Sequence, residues 1–180
     1  INDRLRIGIT GAGTMMNYNP TYGYNFVLAY NMLPVFPVYN TDGTWHEEVG
    51  YDQGNPLHNI EANTRENKGQ RFYGSGDLQF TIVDGLNIKA MLYKSRNQNE
   101  YSQYYDSTTD AGRDDGGYAY KSSNTRDKEL MEWTLDFDKT FNEVHKVNAL
   151  LGYSWEENTY SSMSAANRSF TTDNLGANNL

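Results

Sequence analysis

Apolar and polar residues alternate along several stretches of the chain, which is the pattern of β-strands with two different faces. The clearest case is residues 129–140, where four apolar side chains alternate with four polar ones: Met131, Trp133, Leu135 and Phe137 with Glu132, Thr134, Asp136 and Asp138. A face that carries Glu, Thr and Asp cannot line a dry core. It can face water, which leaves the opposite face for a core or for lipid.

This alternation predicts five strands, at residues 4–15, 70–83, 86–96, 129–140 and 146–157. Two connections are short: Asp84-Gly85 is a hairpin signal, and a turn is predicted at 141–145. The other connections, 17–70, 97–127 and the segment from 160, are long and polar. The first of them contains a predicted helix at 25–33, a hairpin tip at 40–43 and a break at 54–56.

In an up-and-down sheet this order places all short turns at one end and all long loops at the other. That asymmetry is typical of outer-membrane β-barrels, which also carry aromatic girdles at the membrane interfaces. Five aromatic residues are predicted near strand ends, where such a girdle would lie: Phe72, Tyr73, Phe141, Tyr153 and Trp155. The sequence therefore favours barrel strands.

Composition narrows the class further. Only 37% of the residues are hydrophobic and the mean hydropathy is −0.80, yet 14% are aromatic, including 15 Tyr, which argues against disorder. The net charge of −8 and the lack of a basic cluster argue against a nucleic-acid partner. There is no Cys, so disulfides and thiolate metal sites are excluded. The sequence contains no run of about 18 apolar residues, so no membrane-spanning helix is predicted. A barrel strand needs only about 9–11 residues, which this criterion does not detect.

The ends of the chain suggest a piece of a larger protein. It opens directly at a predicted strand without an initiating Met, and it stops in polar, loop-like sequence. Five strands cannot close a barrel, for which about eight is the practical minimum. We therefore expect a fragment.

Three segments, residues 1–9, 33–43 and 139–157, resemble in sequence and order the SusC/RagA-type TonB-linked outer-membrane proteins of Bacteroidetes. The resemblance implies an all-β fold, with residues 1–180 forming antiparallel up-and-down strands of a 22-stranded transmembrane β-barrel with long extracellular loops. It implies import of oligosaccharides or peptides across the bacterial outer membrane, driven through TonB and assisted by a SusD-like surface lipoprotein. The chain shows no TonB box, plug domain or barrel C-terminus, so energy coupling is expected of the parent protein only.

Loop side chains suited to sugars or peptides are the candidate substrate contacts. Tyr and Trp rings can stack on a substrate, and Asn and Asp can hydrogen-bond to hydroxyls or amides. The candidates are Trp45, Tyr51, Asp52 and Asn55 in the first loop, and Tyr101, Tyr104, Tyr105 and Asp106 in the second. The alternative is that these aromatic residues pack the loops on one another or on a partner.

A second candidate set lies on the water-facing side of the strands and would line the barrel lumen or contact a plug: Arg4, Arg6, Asp77, Gln79 and Lys89. Mixed charges favour plug contact for most of these residues, because opposite charges can pair across a protein–protein surface.

No catalytic, metal or cofactor site is predicted. His46, His58 and His145 are scattered, and the acidic loop with Asp110 and Asp114 lacks the ligand spacing of a calcium-binding hand. Adjacent carboxylates on a strand point to opposite faces and cannot act as an acid/base pair. We therefore predict a non-enzymatic protein. Two alternatives stay open: a soluble β-sandwich glycan-binding module, and a siderophore or vitamin receptor of the same barrel type.

Overall fold

The computed structural model describes residues 4–21, 23–47 and 54–180. Five strands form one sheet in the order β1-β2-β3-β4-β5. Consecutive strands are neighbours and two of the connections are tight turns, so the sheet is up-and-down and antiparallel, as predicted. The strands are β1 Leu5–Tyr18, β2 Thr64–Val83, β3 Leu86–Tyr105, β4 Tyr118–Phe141 and β5 His145–Arg168. The helices are α1 Tyr24–Asn31, α2 Pro56–Ala62 and a short 3-10 helix, Gly176–Asn179.

The strands are longer than the sequence predicts. β3 continues to Tyr105 and β4 starts at Tyr118, so the predicted loop 97–127 shrinks to 106–117. Similarly, β2 begins at Thr64 and β5 reaches Arg168. The added lengths are rich in Ser, Asn, Gln and Tyr, and backbone pairing extends through them without an apolar face. The predicted position of the aromatic girdle near strand ends is therefore wrong for residues such as Tyr153 and Trp155, which lie inside β5.

Both predicted tight turns are confirmed. Gly85 has a φ of 85° in the two-residue connection between β2 and β3. Between β4 and β5, Asn142 and Glu143 have φ values of 51° and 60°, and the Val144 N–H donates to the Phe141 carbonyl at 3.2 Å. Positive φ at both central residues matches the right-handed twist of antiparallel strands.

The chain divides into two compact units. The first comprises Ile1–Met15, Gly69–Gln98 and Thr125–Ser161. Many of its apolar side chains remain exposed, for example Ile9 at 86%, Leu92 at 59% and Leu151 at 70%. In the described part of the chain the buried hydrophobic residues all belong to the second unit, so the first unit has no core of its own. A sandwich would need a second sheet over these side chains, and the described residues form a single sheet, which argues against the sandwich alternative.

The second unit comprises Met16–Lys68, Asn99–Asn124 and Ser162–Leu180. It contains α1, close to the predicted helix at 25–33, and α2, which packs against α1. Only a break is predicted at 54–56, yet Asn55 caps α2 there by accepting from the Leu57 and His58 N–H groups. Proline at the first helical position completes this start signal. The predicted hairpin tip is confirmed by an antiparallel bridge between Tyr39 and Trp45.

None of the helices in the described ranges has the length and apolar character required to cross a membrane.

Candidate functional site

Four tyrosines on adjacent strands of the second unit form an aromatic cluster. Tyr101 and Tyr105 are four residues apart on β3, and Tyr118 and Tyr120 are two apart on β4, so each pair shares one face of its strand. The Tyr105 and Tyr118 ring centroids are 5.9 Å apart at 27°, and those of Tyr101 and Tyr120 are 6.1 Å apart at 54°. We call these four residues the tyrosine cluster.

Two arginines from the outer neighbours of these strands flank the cluster. The Cζ atom of Arg65, on β2, lies 5.4 Å from the Tyr105 ring centroid, and a guanidinium N–H of Arg65 donates to the Tyr105 hydroxyl. The Cζ atom of Arg168, on β5, lies 5.4 Å from the Tyr118 ring centroid, and its Nη1 pairs with Asp115 at 3.3 Å. Cation–π contacts of this kind restrain the rings, which stay half-buried.

The cluster offers chemistry for a substrate that has both apolar faces and hydrogen-bonding groups. Ring faces stack on apolar surfaces of sugars or side chains, while phenol and guanidinium groups donate to hydroxyl or carbonyl oxygens. Tyr101 and Tyr105 were predicted site residues. The sequence places the other four residues in loops and does not predict them as site residues: Arg65, Tyr118, Tyr120 and Arg168. The period-two spacing of Tyr118-Ala119-Tyr120 is the signal that places the two tyrosines on one strand face.

Tyr104, also a predicted site residue, has a different environment. It is 1% exposed, and its hydroxyl donates to Asp173 in the C-terminal segment. The same carboxylate accepts from the Ser107 N–H at 3.1 Å and from its hydroxyl at 2.7 Å. Partial burial opposes ionisation of Asp173, but these hydrogen bonds from Tyr104 and Ser107 prevail and lower its pKa below the ordinary value of 3.8. Tyr104 therefore holds the 106–117 loop to the C-terminal segment.

Asp106 and Asn55 likewise hold loop backbone. The Oδ1 atom of Asp106 accepts from the Thr108 N–H at 2.9 Å, and the backbone N–H of Asp106 donates to Asn63 Oδ1 at 2.9 Å. Asn55 is 2% exposed and donates to the Val38 carbonyl at 2.8 Å. Both residues thus make structural contacts, and their predicted contact with substrate stays a prediction.

Trp45 lies in a packed group of loop side chains. Its ring stacks on His58 with centroids 4.9 Å apart at 14°. His58 is 5% exposed, with Nδ1 3.1 Å from Glu47 and Nε2 3.1 Å from Thr108. This contact is the loop-packing role considered as the alternative in the sequence analysis. Tyr51 and Asp52 lie outside the described residues.

The predicted lumen or plug residues lie in the first unit. Asp77, Gln79 and Lys89 line one shallow groove of about 230 Å³, together with Glu132 and Thr134. Two ion pairs join polar positions of β4 and β5: Lys146 pairs with Asp138 at 3.5 Å, and Lys128 pairs with Glu156 at 3.0 Å. Arg4 and Arg6 are exposed. The structure thus brings Asp77, Gln79 and Lys89 together, and their role as lumen or plug contacts stays a prediction.

Residues 4–21, 23–47 and 54–180 contain no group of three or more side chains of the kinds that hold a metal ion.

Curated proteins similar to this chain are TonB-dependent receptors. The chain is 25% identical over 181 residues to TonB-dependent receptor P3 of Formosa agariphila, a match that includes all of this chain and 17% of that protein. It is 25% identical over 187 residues to TonB-dependent receptor P26 of the same organism, with all of this chain and 19% of that protein matched. The chain thus spans less than a fifth of the length of these relatives. No family model matches it.

Solved structures with a similar fold come from a peptide transporter. A chain of the RagAB peptide transporter superposes with a TM-score of 0.69 at 17% identity, over 97% of this chain and 21% of that one. The RagAB peptide importer in its "closed-closed" state gives a TM-score of 0.68 at 18% identity. At this identity the likeness concerns the fold, and it agrees with the antiparallel sheet described above. The resemblance stated from the sequence is confirmed.

Proposed function

We propose that this chain, which resembles SusC/RagA-type TonB-linked transporters, is a segment of a 22-stranded outer-membrane barrel that imports a nutrient. Residues 1–180 would supply five consecutive strands of that barrel. The observation that carries the proposal is the first unit, a sheet without a core in which many apolar side chains are exposed. Lipid would cover these side chains in the membrane.

The spacing of charges along β4 supports a membrane-spanning role. On the face of β4 opposite the polar one, every second residue points to the same side. Between Glu129 and Lys139 on that face lie four uncharged residues: Met131, Trp133, Leu135 and Phe137. Ten residues at about 3.4 Å each, tilted by about 45°, rise about 24 Å along the membrane normal. The apolar band of outer-membrane barrels is about 25 Å tall. The uncharged stretch of β4 therefore has the height that a lipid-facing band requires.

Charged pairs on adjacent strands mark the upper limit of this band. Lys94 of β3 forms an ion pair with Glu129 of β4, and Arg96 lies 3.9 Å from Asp127. Two successive charged pairs at the same edge are costly in hydrocarbon, but they are stable in the headgroup region where water and phosphates are present. Hence we place the membrane surface at Lys94 and Glu129.

Substrate contact is assigned to the tyrosine cluster with Arg65 and Arg168. Of the loop candidates, five remain proposed contacts: Trp45, Tyr51, Asp52, Asn55 and Asp106. Tyr104 instead holds the 106–117 loop to the C-terminal segment. The substrate is an oligosaccharide or a peptide, and the fold of the RagAB peptide transporter is consistent with the second. A SusD-like lipoprotein is the proposed surface partner and TonB the energy source. The relatives are named for reception and transport, which supports a function without catalysis.

The test is the behaviour of the full-length protein. We expect it in the outer-membrane fraction, resistant to alkaline extraction and soluble only with detergent. Unheated samples should migrate faster on SDS gels than heated ones, because folded barrels resist SDS. A full-length protein that is soluble in water without detergent would refute the proposal.

A further inference from the structure

The ring of His58 on α2 joins three segments of the second unit, and it is 5% exposed. One face stacks on Trp45 of the hairpin segment, residues 38–47, with centroids 4.9 Å apart at 14°. The Nε2 atom lies 3.1 Å from the hydroxyl of Thr108, in the loop after β3, and this hydroxyl bonds to Asp106. His58 therefore connects Trp45 with Asp106, two proposed substrate contacts that lie on separate segments.

The Nε2 atom of His58 must carry a proton. The hydroxyl oxygen of Thr108 is 2.6 Å from Oδ1 of Asp106, and an ionised carboxylate has no hydrogen to give, so the hydroxyl is the donor of this bond. A hydroxyl has one hydrogen, which leaves its oxygen only the role of acceptor toward the imidazole. The bond between His58 and Thr108 thus uses a ring N–H.

The other ring nitrogen faces a second carboxylate. Nδ1 of His58 lies 3.1 Å from Oε1 of Glu47, which also accepts only when it is ionised. If the proton lies on Glu47 instead, the bond remains and the pair holds the same number of protons. A neutral imidazole has a single N–H and can serve one of the two acceptors. Both contacts together therefore require one proton more than a neutral His58 and an ionised Glu47 hold.

The surroundings of the ring favour this additional proton. Three charged side chains are connected to it: Glu47 directly, Asp106 through Thr108, and Arg113 through Glu47. The guanidinium lies on the far oxygen of the glutamate, at 3.5 Å, so both ring nitrogens meet acid before they meet base. The indole of Trp45 adds an aromatic face, which attracts a cation stacked on it.

We propose that His58 is a positioning residue, which holds Trp45 and Asp106 in their relative arrangement only while its ring is doubly protonated. This deepens the proposed function and rests on it, because the placement of these two residues matters if they contact substrate. When the proton leaves, either Glu47 or Thr108 loses its donor, and a buried hydrogen bond left unmade is destabilising. The loop arrangement is therefore stable at low pH and is lost as pH rises.

The test is hydrogen–deuterium exchange of the full-length protein in detergent, from about pH 5 to about pH 9, a range that includes the ordinary titration of histidine. Protection of residues 38–47 and 106–117 is expressed relative to the intrinsic exchange rate at each pH. His58→Gln retains N–H donors but cannot titrate in this range. His46→Gln is the matched control, because it removes the other histidine of the hairpin segment. Heat-dependent gel migration shows that each variant is folded.

We expect protection of both segments in the wild-type protein to fall about tenfold or more as pH rises. His58→Gln should give weak protection that does not depend on pH, and His46→Gln should reproduce the wild-type profile. Glu47→Gln removes the negative charge that favours the additional proton, so the midpoint of the fall should move to lower pH by about one unit. A purely structural role of the pair would lower protection without moving the midpoint.

Three results would overturn the proposal. The first is wild-type protection that stays constant with pH, and the second is a fall that persists in His58→Gln or disappears in His46→Gln. The third is a midpoint that stays in place or rises in Glu47→Gln. None of them touches the transporter assignment, because membrane extraction is measured separately. Conversely, a water-soluble protein with the expected profile would refute the barrel and leave the protonation of His58 standing.

Discussion

The membrane assignment can be tested at Leu135, which lies within about one residue of the middle of the uncharged stretch of β4. Leu135→Arg would place a guanidinium close to the bilayer midplane. An arginine at that depth on the lipid face of a barrel costs about 2–4 kcal/mol. About 1.4 kcal/mol is a factor of ten in an equilibrium constant. At the urea concentration that half-unfolds the wild-type protein, the folded fraction of the variant should therefore be lower by about one to three orders of magnitude.

Thr134→Arg is the matched control, because it puts the same charge on the adjacent residue and the opposite face. Thr134 lines a groove with Asp77, Glu132 and Lys89, where an added cation meets two carboxylates and one ammonium group. We expect a change of less than about 1 kcal/mol there. Both variants are compared in outer-membrane yield, in heat-dependent gel migration and in urea unfolding from liposomes. Equal effects of the two substitutions would refute the assignment of the two faces.

Three further predictions concern the loops and turns. Asp173→Asn should cost about 1–3 kcal/mol of local stability and speed hydrogen exchange in residues 107–117, because the hydrogen bonds from Tyr104 and Ser107 lose a charged acceptor. Since the folded-state pKa of Asp173 lies below 3.8, this stabilisation is present above that pH and lost as pH falls through the folded-state pKa. Protection of residues 107–117, relative to the intrinsic exchange rate, that does not change there would contradict it. Tyr120→Ala should lower import about two- to tenfold while Tyr120→Phe preserves it, measured as uptake rate in cells, and equal loss in both would exclude ring stacking. Gly85→Val should lower the folded yield, because φ is +85° and a Cβ would lie 2.6 Å from the Asp138 carbonyl; normal assembly would show that the turn adapts.

The sequence predicts the sheet better than it predicts the extent of the strands. Alternation of apolar and polar residues identifies a strand only where one face is apolar, as in residues 131–137 of β4. Beyond Thr125 toward the N-terminal end of β4, the sequence has no regular apolar face, and contacts of Tyr118 and Tyr120 with neighbouring strands add to the backbone pairing. Asp84-Gly85 was recognisable because glycine supplies the positive φ of the turn.

The candidate site was harder to predict, because its residues come from four strands and burial separates residues that are alike in sequence. Tyr104 and Tyr105 are adjacent, yet the first is 1% exposed and bonded to Asp173 while the second joins the tyrosine cluster. Alternation alone places them on opposite faces, but it does not say which face the C-terminal segment covers. That information depends on long-range contacts, such as the one with Asp173, which no local pattern contains.

In the proposed barrel, the aromatic residues inside β5 lie near the upper limit that the charges on β4 define. Trp155 lies ten residues beyond His145, where β5 begins, and about 3.4 Å per residue at a tilt of about 45° raises it about 24 Å. Tyr153 and Trp155 are exposed at 60% and 40%, and Glu157 is the next residue on their face. An aromatic girdle belongs at the edge of the hydrocarbon, and a strand that continues far beyond the membrane carries it in its interior. An aromatic girdle can therefore lie in the interior of a long strand, because the height of the girdle is set by the lipid and does not depend on where the strand ends.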